Sequence, residues 1–235
     1  MRAATTLFAE HGVGAVGVRR VAAAAGENTT AINYHFGGKD GLWRAVVERA
    51  AKRLREGIDA PTLARADPTV IAALAPHEAS AVLRSLVIAS VPVEADAVAA
   101  ARADGRDEAP GTDTTIDAGI DAGGWSDERL ACARLMAREL LAPEGPSEPA
   151  RALFEEQVTV TAALIGRLSG RDPASACRLQ ALSLIGSIMT IGLASRFVRE
   201  TMGWNVVGDD EREAIADAVL DAHGVRRTAR RERDR

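Results

Sequence analysis

Residues 18–39 read VRRVAAAAGENTTAINYHFGGK, and this stretch decides the fold. Val18, Val21, Ala22 and Ala25 recur at three- and four-residue spacing and predict one apolar face of a short helix. Gly26 supplies the permissive backbone that a tight turn needs. Asn28 is a good N-cap, its side-chain oxygen able to accept from an amide two or three residues on. A second helix over 29–36 then turns Ile32 and Phe36 inward, with Thr29, Thr30, Asn33 and His35 outward and Tyr34 at the margin. Two helices of this size about a glycine turn make a helix-turn-helix, whose second helix enters the major groove of DNA. The bland alternative is a helical hairpin with no nucleic-acid role. Asn, Tyr and His displayed just ahead of Lys39 argue against it.

Working outward, 235 residues suffice for one large or two modest domains. Alanine dominates, aromatics are 3%, and β-branched runs are short, so an all-α chain is expected. The net charge of −4 argues against a simple basic DNA coater. Its distribution is more telling: residues 1–56 hold nine basic against five acidic side chains, a net of +4, which leaves −8 for the rest. A basic head on an acidic body suits a protein that grips DNA by one end. Cys132 and Cys177 are too few for a disulfide framework and read as small buried apolar side chains, in keeping with a reducing cytoplasm. No charged segment followed by an apolar one opens the chain, so no signal peptide is expected. The most apolar run, 181–195, falls short of the roughly 20 residues of a membrane span and reads as a buried helix.

The segment from 4 to about 51, with LFAEHG, VAAAAG and AINYHFGGKDGL ahead of a long helix, closely resembles the DNA-binding domain of the TetR/AcrR regulators. The resemblance implies that Thr29, Thr30, Asn33 and His35 meet base edges or backbone, that Tyr34 gives its hydroxyl to a phosphate, and that Lys39 is a phosphate contact. Asn33 is the best base reader, since its amide pairs bidentately with adenine. Two departures stand out. Where the family carries Ser or Thr to cap the first of the two helices, this chain has Val16 and Gly17, and the customary acidic partner is Arg20. Glycine there loses only a few tenths of a kcal/mol of helix stability, but it removes a hydroxyl that bonds phosphate. Arg19 or Arg20 is expected to take over part of that grip, against the plain alternative of solvated surface arginines.

The helix at 2–10, with Ala4, Leu7, Phe8 and His11 inward, is shorter than its counterpart in the family: either the chain lacks that arm or the start codon lies upstream of Met1, and the second is the expectation. A fourth helix, 39–57, buries Leu42, Ala45, Val46 and Leu54 and shows Arg44, Lys52, Arg53 and Arg55. In the resembled family, its movement transmits the ligand signal. These elements delimit a three-helix DNA-binding domain at 1–56, followed by a helical effector-binding and dimerisation bundle at 57–224 and a basic disordered tail at 225–235. Pro61 and Asp67-Pro68 punctuate the boundary, and further helices follow, broken near Pro76 and Pro92. Residues 103–124, rich in Asp, Gly and Thr, read as a mobile loop. Its Asp113, Asp117 and Asp121 lack the calcium-loop pattern, so no metal is expected.

A helix capped by Ser126 runs to Leu141, and its RLMAREL is similar to the regulatory domain of the CecR-like branch, over 125–204. Arg134, Arg138 and Glu139 either meet an effector there or form ion pairs among themselves. Another helix spans 148–168. The longest, opened by Asp172-Pro173, runs to about 202 and is apolar nearly all round, so it must be covered on every side. Leu182, Ile185, Met189, Leu193 and Phe197 are the candidate dimer face, with Gly186, Ser187 and Gly192 permitting close approach. A last helix occupies 209–223.

No nucleophile–base motif, metal-ligand spacing or phosphate-cradling loop is present, so neither an enzyme nor a cofactor is expected. The leading reading is a ligand-responsive repressor: a homodimer on a near-palindromic double-stranded operator, controlled by a small-molecule effector. The other is a helical dimer that binds protein and has lost specific DNA recognition, motivated by Gly17 and the short first helix.

Overall fold

The computed structural model describes residues 1–91, 127–171, 175–205 and 207–225, and every regular element among them is an α-helix. Helices α1 (Arg2–Ala15), α2 (Val18–Ala25), α3 (Thr29–Phe36) and α4 (Lys39–Glu56) enclose a first core. Its centre is Phe8, Val16, Val21, Ile32, Leu42 and Val46, with the Phe8 ring edge-on to Trp43 at 5.2 Å. Three expectations are corrected here. Helix α1 continues to Ala15 across a kink at Gly12, where φ is 77°. His11 is exposed and bonded to Arg20, while Thr5 takes a buried place. Ala25 is exposed too, because the left-handed turn at Gly26 (φ 67°) leads the chain away from the core.

Pro61 and Pro68 do not merely punctuate. They sit in the first turns of α5 (Ala60–Arg65) and α6 (Pro68–Ile71), where a missing N–H has no intrahelical partner to lose. Asp59 and Asp67 cap these turns, accepting from Thr62 N at 2.8 Å and Thr69 N at 2.7 Å.

The remaining helices are α7 (Pro76–Ser90), α8 (Asp127–Leu140), α9 (Glu148–Ser169), α10 (Ser175–Leu193), α11 (Ser195–Met202) and α12 (Asp209–Ala222). A second core joins Leu83, Val87, Leu164, Ile165, Leu184 and Ala216 from α7, α9, α10 and α12. Helix α8 belongs to the first core instead: Ala131, Cys132, Leu135 and Met136 pack with the head, as do Ala150 and Leu153 of α9. The head is therefore completed by residues far along the chain.

The expected long helix to 202 is two helices. Ala194 leaves the helical region (φ −96°, ψ 22°) between α10 and α11, so α9, at 22 residues, is the longest among those described. The apolar run is also not simply buried. Ser175–Leu193 has 19 residues and a mean hydropathy of 1.4, long and apolar enough by those measures to cross a membrane, and 28% of that stretch is buried. Leu184 and Ile188 face the core, whereas Leu179, Leu182 and Phe197 are 67%, 52% and 68% exposed. The expectations for Pro92, 103–124, Trp125, Ser126, Asp172-Pro173 and 226–235 fall outside the described residues.

Candidate nucleic-acid interface and ligand cavity

Helix α3 stands out from the head with Ile32 buried and Phe36 half-buried behind it. Asn28 caps it as expected, accepting from Ala31 N at 2.8 Å. Thr30, Asn33, Tyr34 and His35 are exposed, and Thr29 is half-buried. Tyr34 is 85% exposed with its ring edge-on to His35 at 5.3 Å, so it stands clear of the fold. Lys39 opens α4. Helices α3 and α4 meet at Gly41, where a Cβ would lie 1.7 Å from the Phe36 carbonyl oxygen. Hydrogen alone fits there, and this close approach fixes the angle at which α3 is presented.

At the start of α2, Gly17 makes no side-chain cap, and nothing lies within 4 Å of where its Cβ would be. The place is empty of structural demand. Arg19 and Arg20 are exposed on the first turn. Arg20 Nη2 lies 2.8 Å from His11 Nε2, a bond in which the guanidinium donates and the ring nitrogen accepts. Arg20 is thus tethered to α1 just before its kink.

Glu128, at the start of α8, binds the head. Its carboxylate, with 9% of the side chain exposed, meets Arg49 at 2.8 Å, and Arg53 and Arg2 at 3.6 Å each. Burial pushes the carboxyl up, but the Arg49 hydrogen bond and the three positive charges outweigh it and hold the group below its ordinary value. At the other end of α8, Arg138 donates to Ala9 O at 2.8 Å and Glu10 O at 2.9 Å, capping the stretch of α1 before the kink.

A cavity of about 420 Å³ opens between the body helices. Its wall is mainly apolar, with Leu83, Leu86, Ile185, Ile188 and Phe154 among the lining, and Arg129, Gln157 and Thr161 supply polar groups. The end of α4 reaches it through Leu54 and Arg55. Arg134, Arg138 and Glu139 do not line it, which corrects their expected effector role. Arg134 is exposed, Arg138 serves α1, and the buried Glu139 accepts from Ser147 N at 2.8 Å and from the Ser147 hydroxyl. They do not pair with one another either. Of the expected dimer face, Ile185, Met189 and Leu193 line the cavity, while Leu182 and Phe197 point outward.

Residues 1–46 match the family described as bacterial regulatory proteins, tetR family. Residues 125–227 match the C-terminal domain of the HTH-type transcriptional dual regulator CecR. No curated protein matches the chain. Among solved structures, a putative TetR-family transcriptional regulator from Mesorhizobium loti is 21% identical, with 94% of this chain and 91% of that one covered and a TM-score of 0.48. SmeT, the repressor of the Stenotrophomonas maltophilia multidrug efflux pump SmeDEF, is 18% identical, with 94% and 89% covered and a TM-score of 0.48. The two matched regions lie at the helix-turn-helix head and at the body built from α8 onward. The chain belongs to the TetR family, non-enzymatic regulators of transcription that bind DNA through a helix-turn-helix.

Proposed function

We propose that the chain is a ligand-responsive repressor, with a DNA-binding head at 1–56 and an effector-binding, dimer-forming body at 57–224. One observation carries this reading: α4 begins with Lys39 beside the recognition helix and ends with Leu54 and Arg55 in the cavity wall. Its 18 residues make a rod of roughly 27 Å. An occupant of the cavity therefore touches the element that orients α3. Asn33 and the threonines read bases, Tyr34 and Lys39 hold phosphate, and Arg19 and Arg20 restore grip beside Gly17.

The homodimer is supported by the exposed Leu179 and Leu182, which with Gly186 recur at helical spacing on one face of α10, and by the exposed Phe197 on α11. A dimer places two α3 helices in major grooves roughly 34 Å apart on a near-palindromic site. Leu182→Glu is expected to give monomers in sedimentation and to lose operator binding.

Fluorescence anisotropy with DNA from upstream of the protein's own gene tests the reading. Specific binding should fall steeply with salt. Asn33→Ala should weaken it by roughly 1–3 kcal/mol, and Lys39→Ala should lower the salt slope by about one. Equal affinity for operator and scrambled DNA, or no effect of either substitution, would leave the protein-binding dimer motivated by Gly17.

A further inference from the structure

We propose that the cavity takes an uncharged, largely apolar molecule whose carbonyl oxygen accepts hydrogen bonds from Thr161 and Gln157; this rests on reading the cavity as the effector site. The two side chains lie one turn apart on α9, and both line the cavity. Leu153, Phe154 and Val160 line it from the same helix at the same three- and four-residue spacing, so one face of α9 forms a wall. Such a surface favours an apolar body and leaves orientation to a few polar groups.

Those polar groups are unmet inside the protein. Thr161 is 7% exposed, and its hydroxyl has no hydrogen-bond partner among the described residues. Ser90 and Ser169, by contrast, return their hydroxyls to the carbonyl one turn back, Leu86 O and Ile165 O, each at 2.8 Å. The half-buried Gln157 amide is likewise without a partner among the described residues. Both side chains can donate at once, and a carbonyl oxygen, with two lone pairs, is the smallest group that accepts from both.

The charges select neither sign of ligand. Among the described residues of the wall, Arg55 and Arg129 stand against Asp67 and Glu156, two of each sign. Arg55 is paired with Glu156, Arg129 donates to Ala89 O at 3.1 Å, and Asp67 accepts from Thr69 N and from its hydroxyl. An ionic headgroup would have to break one of these contacts or forgo its hydration, whereas a neutral carbonyl leaves them all in place. The seat also lies where a ligand has leverage: Glu156, next to Gln157, is the α9 partner of Arg55 on α4.

Butyrophenone, butylbenzene, 4-phenylbutyrate and 4-phenylbutylammonium, close in body and differing in polar group, test the proposal by calorimetry on the full-length protein. Butyrophenone is expected to bind at least about tenfold more tightly than either ion. Thr161→Val, which keeps the shape and removes the hydroxyl, should weaken butyrophenone by roughly three- to tenfold and leave butylbenzene as tight or tighter. Gln157→Leu should do the same. Either ion binding as tightly as butyrophenone would overturn the uncharged class, a comparison that stands even if a variant does not fold. Butyrophenone and butylbenzene shifting together in both variants would overturn the seat. Both results leave the cavity as an effector site, whereas binding of none of the four would overturn that reading as well.

Discussion

Alanine at position 41 tests the placement of the recognition helix at its most constrained point. The new Cβ would stand 1.7 Å from Phe36 O and 2.9 Å from its carbonyl carbon, where real contacts essentially never fall below 3.0 Å. The obstacle is backbone, not the movable end of a side chain. The end of α3 must therefore shift from α4 by roughly 1.3 Å or more, the shortfall from 3.0 Å. Overpacking of this kind costs about 1–3 kcal/mol, at times more. Alanine's better helix propensity returns at most about 1 kcal/mol, and less here, because Gly41 lies in the first turn of α4. A net loss of about 2 kcal/mol lowers the thermal midpoint by roughly 4–8 °C for a chain of this size. Because α3 is displaced as well, operator affinity should fall by at least about tenfold, with the residual nonspecific binding retained. Gly17→Ala is the matched control: the space around it is open, so it should lose only the N-cap preference of glycine over alanine, roughly 1 kcal/mol, with affinity close to wild type. A Gly41→Ala protein with wild-type midpoint and operator affinity would show that α3 and α4 do not meet as described.

Three further outcomes follow from the same geometry. Glu128→Gln removes the charge shared by Arg49, Arg53 and Arg2, and should cost about 1–3 kcal/mol, between a surface and a buried pair. The folded carboxyl lies below its ordinary value of 4.5, so its stabilisation is complete above that value and lost as pH falls through the lower, folded one. Urea titrations should show the wild-type advantage over the variant shrinking only in that acid range, and an advantage independent of pH would refute the pairing. Gly17→Ser should raise stability by only a few tenths of a kcal/mol yet tighten operator binding through a restored phosphate contact; unchanged affinity would show that the arginines already compensate. Cys132, 1% exposed, has its thiol pushed up to about 11, chiefly by burial. It should resist alkylation in the native protein, and rapid labelling followed by mass spectrometry would contradict the packing of α8.

The helix-turn-helix was legible because its signals are local. Val18, Val21, Gly26, Asn28 and Ile32 act within a turn or two of themselves, and the turn and cap lie where their chemistry places them. Long-range contacts carry no such signal. Arg49 and Glu128 are 79 residues apart, and Arg138 and Ala9 are 129 apart, so a charged side chain on α8 looks the same whether solvated or bonded to the head. The break at Ala194 was unreadable for another reason: Ala194 is neither glycine nor proline, and Gly192 just before it is a buried helical residue of α10. Cavity wall and core were inseparable too, since Leu184 and Ile188 of α10 belong to the core and line the cavity at once.

These long-range contacts change how a signal must travel. Were α4 the sole link, the head could pivot on it while α1 stayed behind. Glu128 instead bridges α1 and α4 through Arg2, Arg49 and Arg53, and Arg138 holds α1 just before its kink. The opposite side of the same helix offers Arg129, Ala133 and Met136 to the cavity. A displacement of α8 is thus delivered to both helices that support α3, and the head moves as one packed body because its core includes Leu135 and Met136. Cutting the Arg138 contact while keeping Glu128 should therefore leave DNA affinity without ligand nearly intact but reduce the change that ligand produces. Anisotropy titrations of Arg138→Gln with and without an effector would detect that difference, and an unchanged ligand response would return the coupling to α4 alone.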